Sequence, residues 1–471
     1  MKRIAIIGGG ISGLSAAFAL ERQRQAGTPL EYVLFEAGPR FGGVIFTEHL
    51  ENCTVEAGPD SFLTEKPWAA ELCHELGIAG QLIGSNDSQR RTYISVNGKL
   101  IPLPDGLAFM VPTEVMPAAL SPLFSFHTKV RMASEWFHPP REVDADESVA
   151  SFVKRHYGEE MVERLADPLL SGIYGGDATD LSLRAVLPRF ADMQARYGSL
   201  GKAMIANRKQ INTAGRPLFT TLKDGIQQLV NAVLIRLPAS HVRSNTEIQS
   251  LQTRDRGWLI SSNAKVEKFD GVIMAIPAHA AAKLLEDSHP KLASELGDIR
   301  YSSSVTVSLV YDEKVRASLP AGFGYLVPRG EGKRVLASTF VHNKFRDRVP
   351  EDRALIRCFL GGTRDQPVLE LSEDNILRIV LAELRQILGI EAEPLFARVY
   401  KWKAAMAQYN VGHLERLERI ERQRVSAPGL FLAGNAYKGI GIPDCVRSGR
   451  EAASQAIAAM GLNDFKTVAT P

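Results

Sequence analysis

The sequence predicts an α/β (α+β) protein in which both ends of the chain build one Rossmann-type dinucleotide-binding domain. Residues 3–36 have the pattern of a strand, a glycine turn, a helix and a second strand that ends at an acidic residue. Residues 429–460 repeat the order of strand, glycine-rich turn and helix. Between these units, residues 106–140 combine large apolar side chains with several prolines, which is typical of short helices separated by turns.

The first unit carries the spacing of a nucleotide-binding turn. Gly8, Gly10 and Gly13 form GxGxxG between the strand and the helix. The first glycine permits the tight turn, the second lets the backbone approach a pyrophosphate, and the third lets the helix pack closely on the strand. Glu36 follows at the end of the second strand, where a carboxylate can accept hydrogen bonds from a ribose. We therefore predict a dinucleotide ligand rather than a purely structural turn.

The last unit is predicted to be the other half of that site. The strand Leu430–Asn435 ends in small residues, and Gly439, Gly441 and Pro443 let the backbone run close to a ligand. The helix that follows begins near Asp444, and the positive end of its dipole favours electron density on a bound ring.

The rest of the chain predicts a second domain. Residues 303–311 and 355–360 alternate between apolar and polar side chains as strands do. Residues 374–388 have the spacing of an amphipathic helix, and we predict another helix over 220–237. These elements favour a mixed-sheet domain with a helical insertion.

Composition excludes several classes of protein. The chain has 471 residues, of which 45% are hydrophobic and 23% charged, as in ordinary globular proteins. Its 56 basic and 53 acidic residues give a net charge of +3, which does not favour a nucleic-acid partner. The four cysteines are scattered without a CxxC pair, so we expect reduced thiols in a cytoplasmic protein.

Two apolar segments bear on membrane association. Three consecutive glycines interrupt the N-terminal apolar run, which argues against a signal peptide, and the chain has no apolar stretch of spanning length. Residues 106–140 are a candidate surface for peripheral docking on the cytoplasmic membrane. The alternative is that their apolar side chains form the core of the second domain.

No side chain is an evident catalytic acid or base. His127, His156, His279, His342 and His413 each lie alone in the sequence, without a partner at ligand or triad spacing. We predict no metal site and expect a bound cofactor to carry the redox chemistry.

Several segments resemble one family. AGPRFGGV at residues 37–44, together with VEAGPDSF at 55–62, resembles the FAD oxidoreductases that include amine oxidases and phytoene desaturases. Within that group, five blocks resemble the oxygen-dependent protoporphyrinogen and coproporphyrinogen oxidases of haem synthesis, and the match runs nearly end to end. The blocks are residues 167–183, 322–328, 358–364, 408–417 and 432–450.

The resemblance implies FAD as the cofactor and assigns contacts to matching positions. The implied FAD contacts are Gly8, Gly9, Gly10, Ile11, Ser12, Gly13, Glu36, Ala37, Arg40, Gly42, Gly43, Val44, Gly58, Pro59, Asp60, Ser61, Ile248, Trp402, Gly434, Ile440, Gly441 and Ile442. The implied substrate contacts are Gly172, Leu326 and Phe359. Leu and Phe side chains can sandwich a pyrrole ring, and the Gly172 backbone can orient pyrrole N–H groups.

By resemblance, the substrate is a porphyrinogen, which loses six electrons and six protons while O2 reoxidises the flavin and yields hydrogen peroxide. We predict protoporphyrinogen IX, with coproporphyrinogen III as the alternative. One position departs from the family pattern, because Thr92 aligns with the family's arginine and Arg91 lies one residue early. Arg91 stays a candidate partner for a propionate, although an exposed loop arginine is as often only solvated.

Two other functional classes remain as alternatives. A flavin amine oxidase or carotenoid desaturase is disfavoured because the C-terminal strand ends in LAGN rather than an FAGE-type sequence, and Cys445 lies in the IPDC turn. A protein without flavin, like the Rab-escort proteins, is disfavoured by the intact GxGxxG and Glu36. Purified protein of that last class would be colourless, whereas a flavoprotein is yellow.

These expectations divide the chain into three domains and suggest its partners. The predicted ranges are 1–85, 220–275 and 425–471 for the FAD-binding domain, 86–105 and 276–424 for the substrate domain, and 106–219 for the helical domain. Besides porphyrinogen and O2, a homodimer and transfer of the product to a chelatase are predicted partners.

Overall fold

The fold was analysed in a computed structural model. The structure describes residues 1–142, 145–208, 216–254 and 257–462.

A five-stranded parallel sheet joins the two ends of the chain. In spatial order its strands are Val242–Arg243, Leu30–Phe35, Lys2–Ile7, Gly271–Met274 and Leu430–Leu432. Every neighbouring pair is parallel. The strands are short apolar runs because helices cover both faces of such a sheet. The predicted fold class is confirmed.

Four helices pack around the parallel sheet. They are Ile11–Gln25, Trp68–Glu75, Gln227–Arg236 and Ile442–Ala459. The first and last pack against each other at Gly449, where a Cβ atom would collide with the carbonyl oxygen of Ser12. This contact places the N-terminus of helix Ile11–Gln25 near that of helix Ile442–Ala459, and a glycine precedes each helix.

One predicted helix is partly wrong. Over 220–237 the structure has a strand, Phe219–Leu222, followed by the helix Gln227–Arg236. The strand pairs with Phe62–Leu63 and Leu82–Gly84 in a three-stranded sheet. Gly225, with a φ of +96°, makes the turn between strand and helix. The β-branched threonines of this strand favour extended backbone once such pairing partners exist.

A mixed seven-stranded sheet forms the second layer of the molecule. In spatial order its strands are Phe396–Ala407, Tyr301–Asp312, Arg353–Gly361, Val335–Phe340, Gly324–Leu326, Thr92–Val96 and Lys99–Pro102. Only the pair of Gly324–Leu326 with Thr92–Val96 is parallel. The helices associated with this part of the chain are Ala278–Leu285, Pro290–Gly297, Glu313–Ser318, Val341–Lys344, Glu373–Leu388 and His413–Arg424.

Short helices fill the region between residues 115 and 208. They are Val115–Leu120, Phe126–Glu135, Val149–Tyr157, Glu159–Met161, the π-helical Val162–Ala166, Asp167–Tyr174, Leu183–Val186, Pro188–Tyr197 and Leu200–Arg208. Ser125 and Ser148 cap two of them through side-chain acceptors. This matches the predicted helical character, whereas the domain boundaries stay a prediction.

The described ranges contain three further small sheets. Their strands are Thr47–Leu50 with Cys53–Glu56; Leu107–Ala108 with Val111–Pro112; and Ile248–Arg254, Gly257–Ser262 and Val266–Phe269. Among the helices of the described ranges, none is both long and apolar enough to cross a bilayer.

Candidate active site

The turn after the first strand leaves an open anion site at the start of helix Ile11–Gln25. Gly10 is the N-cap, no side chain caps the helix, and its first turn holds no acidic residue. The space that a Cβ atom of Gly10 would occupy has no neighbour within 4 Å. Free backbone N–H groups and open space at a helix N-terminus suit a pyrophosphate, so this turn fits the phosphates of FAD.

Glu36 is fixed beside that turn by two backbone donors. Its carboxylate accepts hydrogen bonds from Gly9 N–H and Gly38 N–H, both at 2.8 Å. Thr246 N–H also donates to the carbonyl of Glu36, and Ile248 is buried at the start of the next strand. A held carboxylate with spare lone pairs can accept from a ribose.

The second glycine pair lies directly against the first. Gly42 N–H donates to the carbonyl of Gly9 at 2.8 Å, and a Cβ atom on Gly43 would stand 3.4 Å from Gly10 Cα. Arg40 donates to the carbonyls of Gly43, at 2.5 Å, and Ile45, at 2.7 Å. The arginine therefore fixes the loop, and the two glycine motifs form one continuous backbone surface.

The next predicted cofactor segment, Gly58–Ser61, continues this surface toward the seven-stranded sheet. A Cβ atom on Gly58 would collide with the carbonyl oxygen of Val44, so only glycine fits there. Trp402 Nε1 donates to the carbonyl of Ala57 at 2.9 Å. The sheet is thus anchored to the segment at this end.

The C-terminal glycine turn closes the same region. Gly434 N–H donates to Ser448 Oγ at 3.1 Å, and Gly439 N–H donates to Tyr409 Oη at 2.8 Å. Gly441 is the N-cap of helix Ile442–Ala459, again without a capping side chain. A second uncapped helix N-terminus therefore lies beside the first glycine turn, as expected for the two halves of one cofactor site.

Three of the four predicted substrate residues come together on the seven-stranded sheet. Phe359 is paired with Ala337, and Ala337 is paired with Leu326, so these side chains form one row on one face. A Cβ atom on Gly172, in helix Asp167–Tyr174, would lie 3.4 Å from Leu326 Cδ2. Phe359 and Leu326 are only partly buried. Both side chains therefore keep part of their apolar surface accessible beside helix Asp167–Tyr174, which packs against Leu326.

Arg357 joins this row to the cofactor segment. It precedes Phe359 by two residues on the same strand and therefore points to the same face. Its guanidinium lies over the Phe359 ring, 4.9 Å from the centroid, and donates to the carbonyl of Gly58. The predicted substrate surface and the predicted cofactor surface are consequently adjacent.

Arg91 lies apart from this group. It is exposed, directly before strand Thr92–Val96, and its carbonyl accepts a hydrogen bond from Phe323 N–H. Within the described ranges its guanidinium forms no hydrogen bond or ion pair. Its assignment as a propionate partner stays a prediction.

Comparison with known proteins identifies the family. The model of the flavin-containing amine oxidoreductases matches residues 11–457. The chain belongs to this family. Its cofactor is accordingly FAD, and it is a flavin-dependent oxidoreductase.

Relatives within the family confirm the resemblance to porphyrinogen oxidases. The chain is 34% identical to the coproporphyrinogen III oxidase of Bacillus subtilis (strain 168), over 97% of this chain and 98% of that protein. It is 28% identical to protoporphyrinogen oxidase 2 of Arabidopsis thaliana, over 97% of this chain and 94% of that protein. A crystal structure from Exiguobacterium sp. 255-15 superposes with a TM-score of 0.88 at 29% identity, covering 98% and 99% of the two chains.

The structure also contains a largely buried ionic cluster that the sequence did not indicate. Lys344 Nζ contacts Asp60 Oδ2 at 3.0 Å and donates to Ser61 Oγ at 3.1 Å. Burial alone would raise the pKa of Asp60, but the charges of Lys344 and Arg357 outweigh it and lower that pKa. Asp60 is therefore ionised and holds the predicted cofactor segment Gly58–Ser61 to the seven-stranded sheet and the helix Val341–Lys344.

A second buried pair adjoins this cluster. Arg348 is 1% exposed, lies 3.4 Å from Glu56 Oε1, and donates to Thr221 Oγ1 at 2.7 Å. Glu56 also accepts from Thr47 Oγ1 and from Ile226 N–H. Burial raises the pKa of Glu56 despite the nearby arginine. Glu56 and Asp60 both lie in the segment VEAGPDSF, which carried the family resemblance. The basic side chains that pair with them lie about 290 positions further along the chain, so no local sequence pattern indicated these ion pairs.

Three of the histidines that lie alone in the sequence, His156, His342 and His413, have structural partners. Tyr409 stacks on His413 at 4.1 Å, and His413 Nε2 lies 3.0 Å from the carbonyl of Tyr437. Burial lowers the pKa of His342 to about 4, so this ring is neutral near pH 7. His156 is grouped with Glu135 and His138, none of which belongs to the predicted substrate row.

Proposed function

We propose that this chain oxidises a porphyrinogen with FAD as the immediate electron acceptor and O2 as the final one. The observation that carries the proposal is the row of Phe359 and Leu326, with Gly172 opposite, lying directly beside Gly58–Ser61. A flat apolar surface next to a flavin cradle suits a large apolar ring that must approach the flavin. The names of the curated relatives support the same substrate class.

The protein side chains would bind and orient rather than transfer protons. Phe359 and Leu326 would hold one pyrrole face, and helix Asp167–Tyr174, which packs against Leu326, would border the ring at its edge and limit the entry of water. Bound FAD would accept two electrons in each of three oxidation steps and return them to O2. Arg357 contacts the Phe359 ring and donates to the Gly58 carbonyl, so it would fix the position of the substrate surface relative to the cofactor segment.

Between the two porphyrinogens, we propose coproporphyrinogen III. The sequence alone favoured protoporphyrinogen IX, with coproporphyrinogen III as the alternative. Support for the change comes from relatives of 30–34% identity in Bacillus, Propionibacterium and Staphylococcus, each named a coproporphyrinogen III oxidase. The plant relative named for protoporphyrinogen is 28% identical.

Anaerobic half-reactions test both parts of the proposal. FAD-loaded protein is mixed with either porphyrinogen, and the loss of oxidised-flavin absorbance is followed in a stopped-flow instrument. We expect both to bleach the flavin, coproporphyrinogen III faster. Faster reduction by protoporphyrinogen IX would reverse the substrate choice, and no reduction by either would refute the porphyrinogen proposal.

We also propose that the helical region contacts a membrane surface. Met116, Leu120, Phe126 and Phe137 are 65%, 76%, 82% and 84% exposed. These residues fall within the predicted docking segment 106–140, and such a density of exposed apolar side chains is typical of an interaction surface. The homodimer and the transfer of porphyrin to a chelatase stay predictions.

A further inference from the structure

A cluster of potential metal ligands lies in the helical region, separate from the row of substrate residues. Helix Phe126–Glu135, the turn after it and helix Val149–Tyr157 bring together Glu135, His138 and His156, whose ligand atoms all lie within 4.8 Å of one another. Glu135 and His156 are buried, and His138 is half-buried. The sequence predicted no metal site because these residues show no recognised ligand spacing.

The hydrogen bonds around His156 determine which of its ring nitrogens carries a proton. Its Nε2 lies 2.9 Å from Gln194 Oε1. The orientation of that amide is fixed, since its Nε2 donates to the carbonyl of Arg141 and its Oε1 accepts from Arg155. His156 Nε2 must therefore be the donor. In a neutral imidazole, Nδ1 is then left with a lone pair.

That lone pair points at another acceptor. His156 Nδ1 lies 3.3 Å from Glu135 Oε1. The carboxylate already accepts hydrogen bonds from Leu200 N–H and from Ser199 Oγ, which fix its orientation. Two lone pairs cannot face each other at this distance without a positive charge between them, and either a second ring proton on His156 or a metal ion supplies that charge. A separation of about 3.3 Å is also the spacing of two ligands on a tetrahedral ion with bonds of about 2.0–2.1 Å.

We propose that Glu135, His138 and His156 bind one divalent transition-metal ion, with zinc as the best match. Two imidazoles and one carboxylate are a donor set that zinc accepts, with solvent in the fourth position beside half-buried His138. No side-chain hydrogen bond of His138 is found in the described ranges, so its ring is free to ligate. Metal-bound histidines donate their other N–H to an oxygen acceptor, as His156 does to Gln194.

The ion would act as a structural link. Glu135 ends one helix, His156 belongs to the next, and the backbone held by Glu135 starts helix Leu200–Arg208. Binding would tie these three elements together. The inference is independent of the proposed oxidation chemistry.

The test uses the full-length, tag-free, FAD-loaded protein. Metal is removed with EDTA and dialysis, and ZnCl2 is then titrated against a chromophoric chelator, with metal content measured by plasma mass spectrometry. The deciding variant is His138→Ala, because His138 is the least buried ligand and carries no hydrogen bond that the fold needs. His127→Ala is the matched control, since it removes an exposed histidine from helix Phe126–Glu135, which ends three residues before His138.

We expect one zinc ion per chain in the wild type and in His127→Ala, and at least tenfold weaker binding in His138→Ala. Zinc should raise the melting temperature of the first two proteins and not of the third. Equal affinity in wild type and His138→Ala, or no zinc retained by the wild type, would overturn the proposal. His156 Nδ1 would then carry a second proton, making the group a buried imidazolium–carboxylate pair.

Discussion

Breaking the ion pair between Lys344 and Asp60 by removing one partner should destabilise the protein far more than breaking a surface pair of the same length. Lys344 Nζ lies 3.0 Å from Asp60, and the two side chains are 10% and 17% exposed. Lys2 lies 3.0 Å from Asp270, but these side chains are 46% and 37% exposed. The two pairs match in chemistry and distance and differ in burial, so the surface pair is a matched control.

Lys344→Met would leave Asp60 buried with Arg357 at 3.8 Å as its remaining cation. Removing one partner of a buried pair lowers the free energy of unfolding by about 3–5 kcal/mol. Because Arg357 still partly neutralises Asp60, we expect a loss of about 3 kcal/mol for Lys344→Met. Lys2→Met should cost about 1 kcal/mol or less. A difference of about 2 kcal/mol is a factor of about 30 in the folding equilibrium.

Urea unfolding at fixed, saturating FAD measures this difference, with Asp60→Asn and the double variant completing a thermodynamic cycle. Equal losses of stability in Lys344→Met and Lys2→Met would refute the reasoning.

The pH dependence of stability provides a second check. Because the folded pKa of Asp60 is lowered, its contribution is present above the unfolded value of about 4 and lost as the pH falls below it. Lys344→Met should therefore lose less stability than wild type on acidification.

Three further predictions concern the cofactor, the substrate and the membrane. Gly58→Ala should abolish most FAD binding, because the added Cβ would collide with the Val44 carbonyl oxygen. The ratio of flavin to protein absorbance measures FAD content, and a fully loaded variant would show that Gly58 does not line the FAD site. Phe359→Ala should lower kcat/KM for coproporphyrinogen III by about a hundredfold at unchanged FAD content, and full turnover on every porphyrinogen would remove Phe359 from the substrate surface. Replacing Phe126 and Phe137 with Asp should abolish flotation with anionic liposomes, whereas wild-type protein that never floats would refute docking.

The sequence predicted those parts of the fold that depend on local pattern. The glycine spacing after a buried strand predicted the turn at Gly10, because that backbone needs a residue without a Cβ next to the ligand. Short apolar runs at both chain ends predicted one parallel sheet, since neither end alone could cover its own strands. Alternation predicted two of the long strands of the seven-stranded sheet, Tyr301–Asp312 and Arg353–Gly361, but not Phe396–Ala407.

Features made by distant residues could not be predicted in the same way. Lys344 and Arg357 reach the segment Gly58–Ser61 only because the two sheets lie side by side, and nothing in their own neighbourhoods indicates an ion pair. The strand Phe219–Leu222 appeared helical because its pairing partners come from elsewhere in the chain. The grouping of His138 with His156 likewise depends on how two short helices pack.

The most direct test of the central claim is the stoichiometry of aerobic turnover with coproporphyrinogen III. Oxygen uptake, peroxide formation and porphyrin fluorescence would be followed together, with FAD-free protein as the control for autoxidation. The proposal predicts three O2 consumed and three hydrogen peroxide molecules formed for each porphyrin, at a rate proportional to the FAD-loaded protein. A rate no higher than that of the FAD-free control would contradict it.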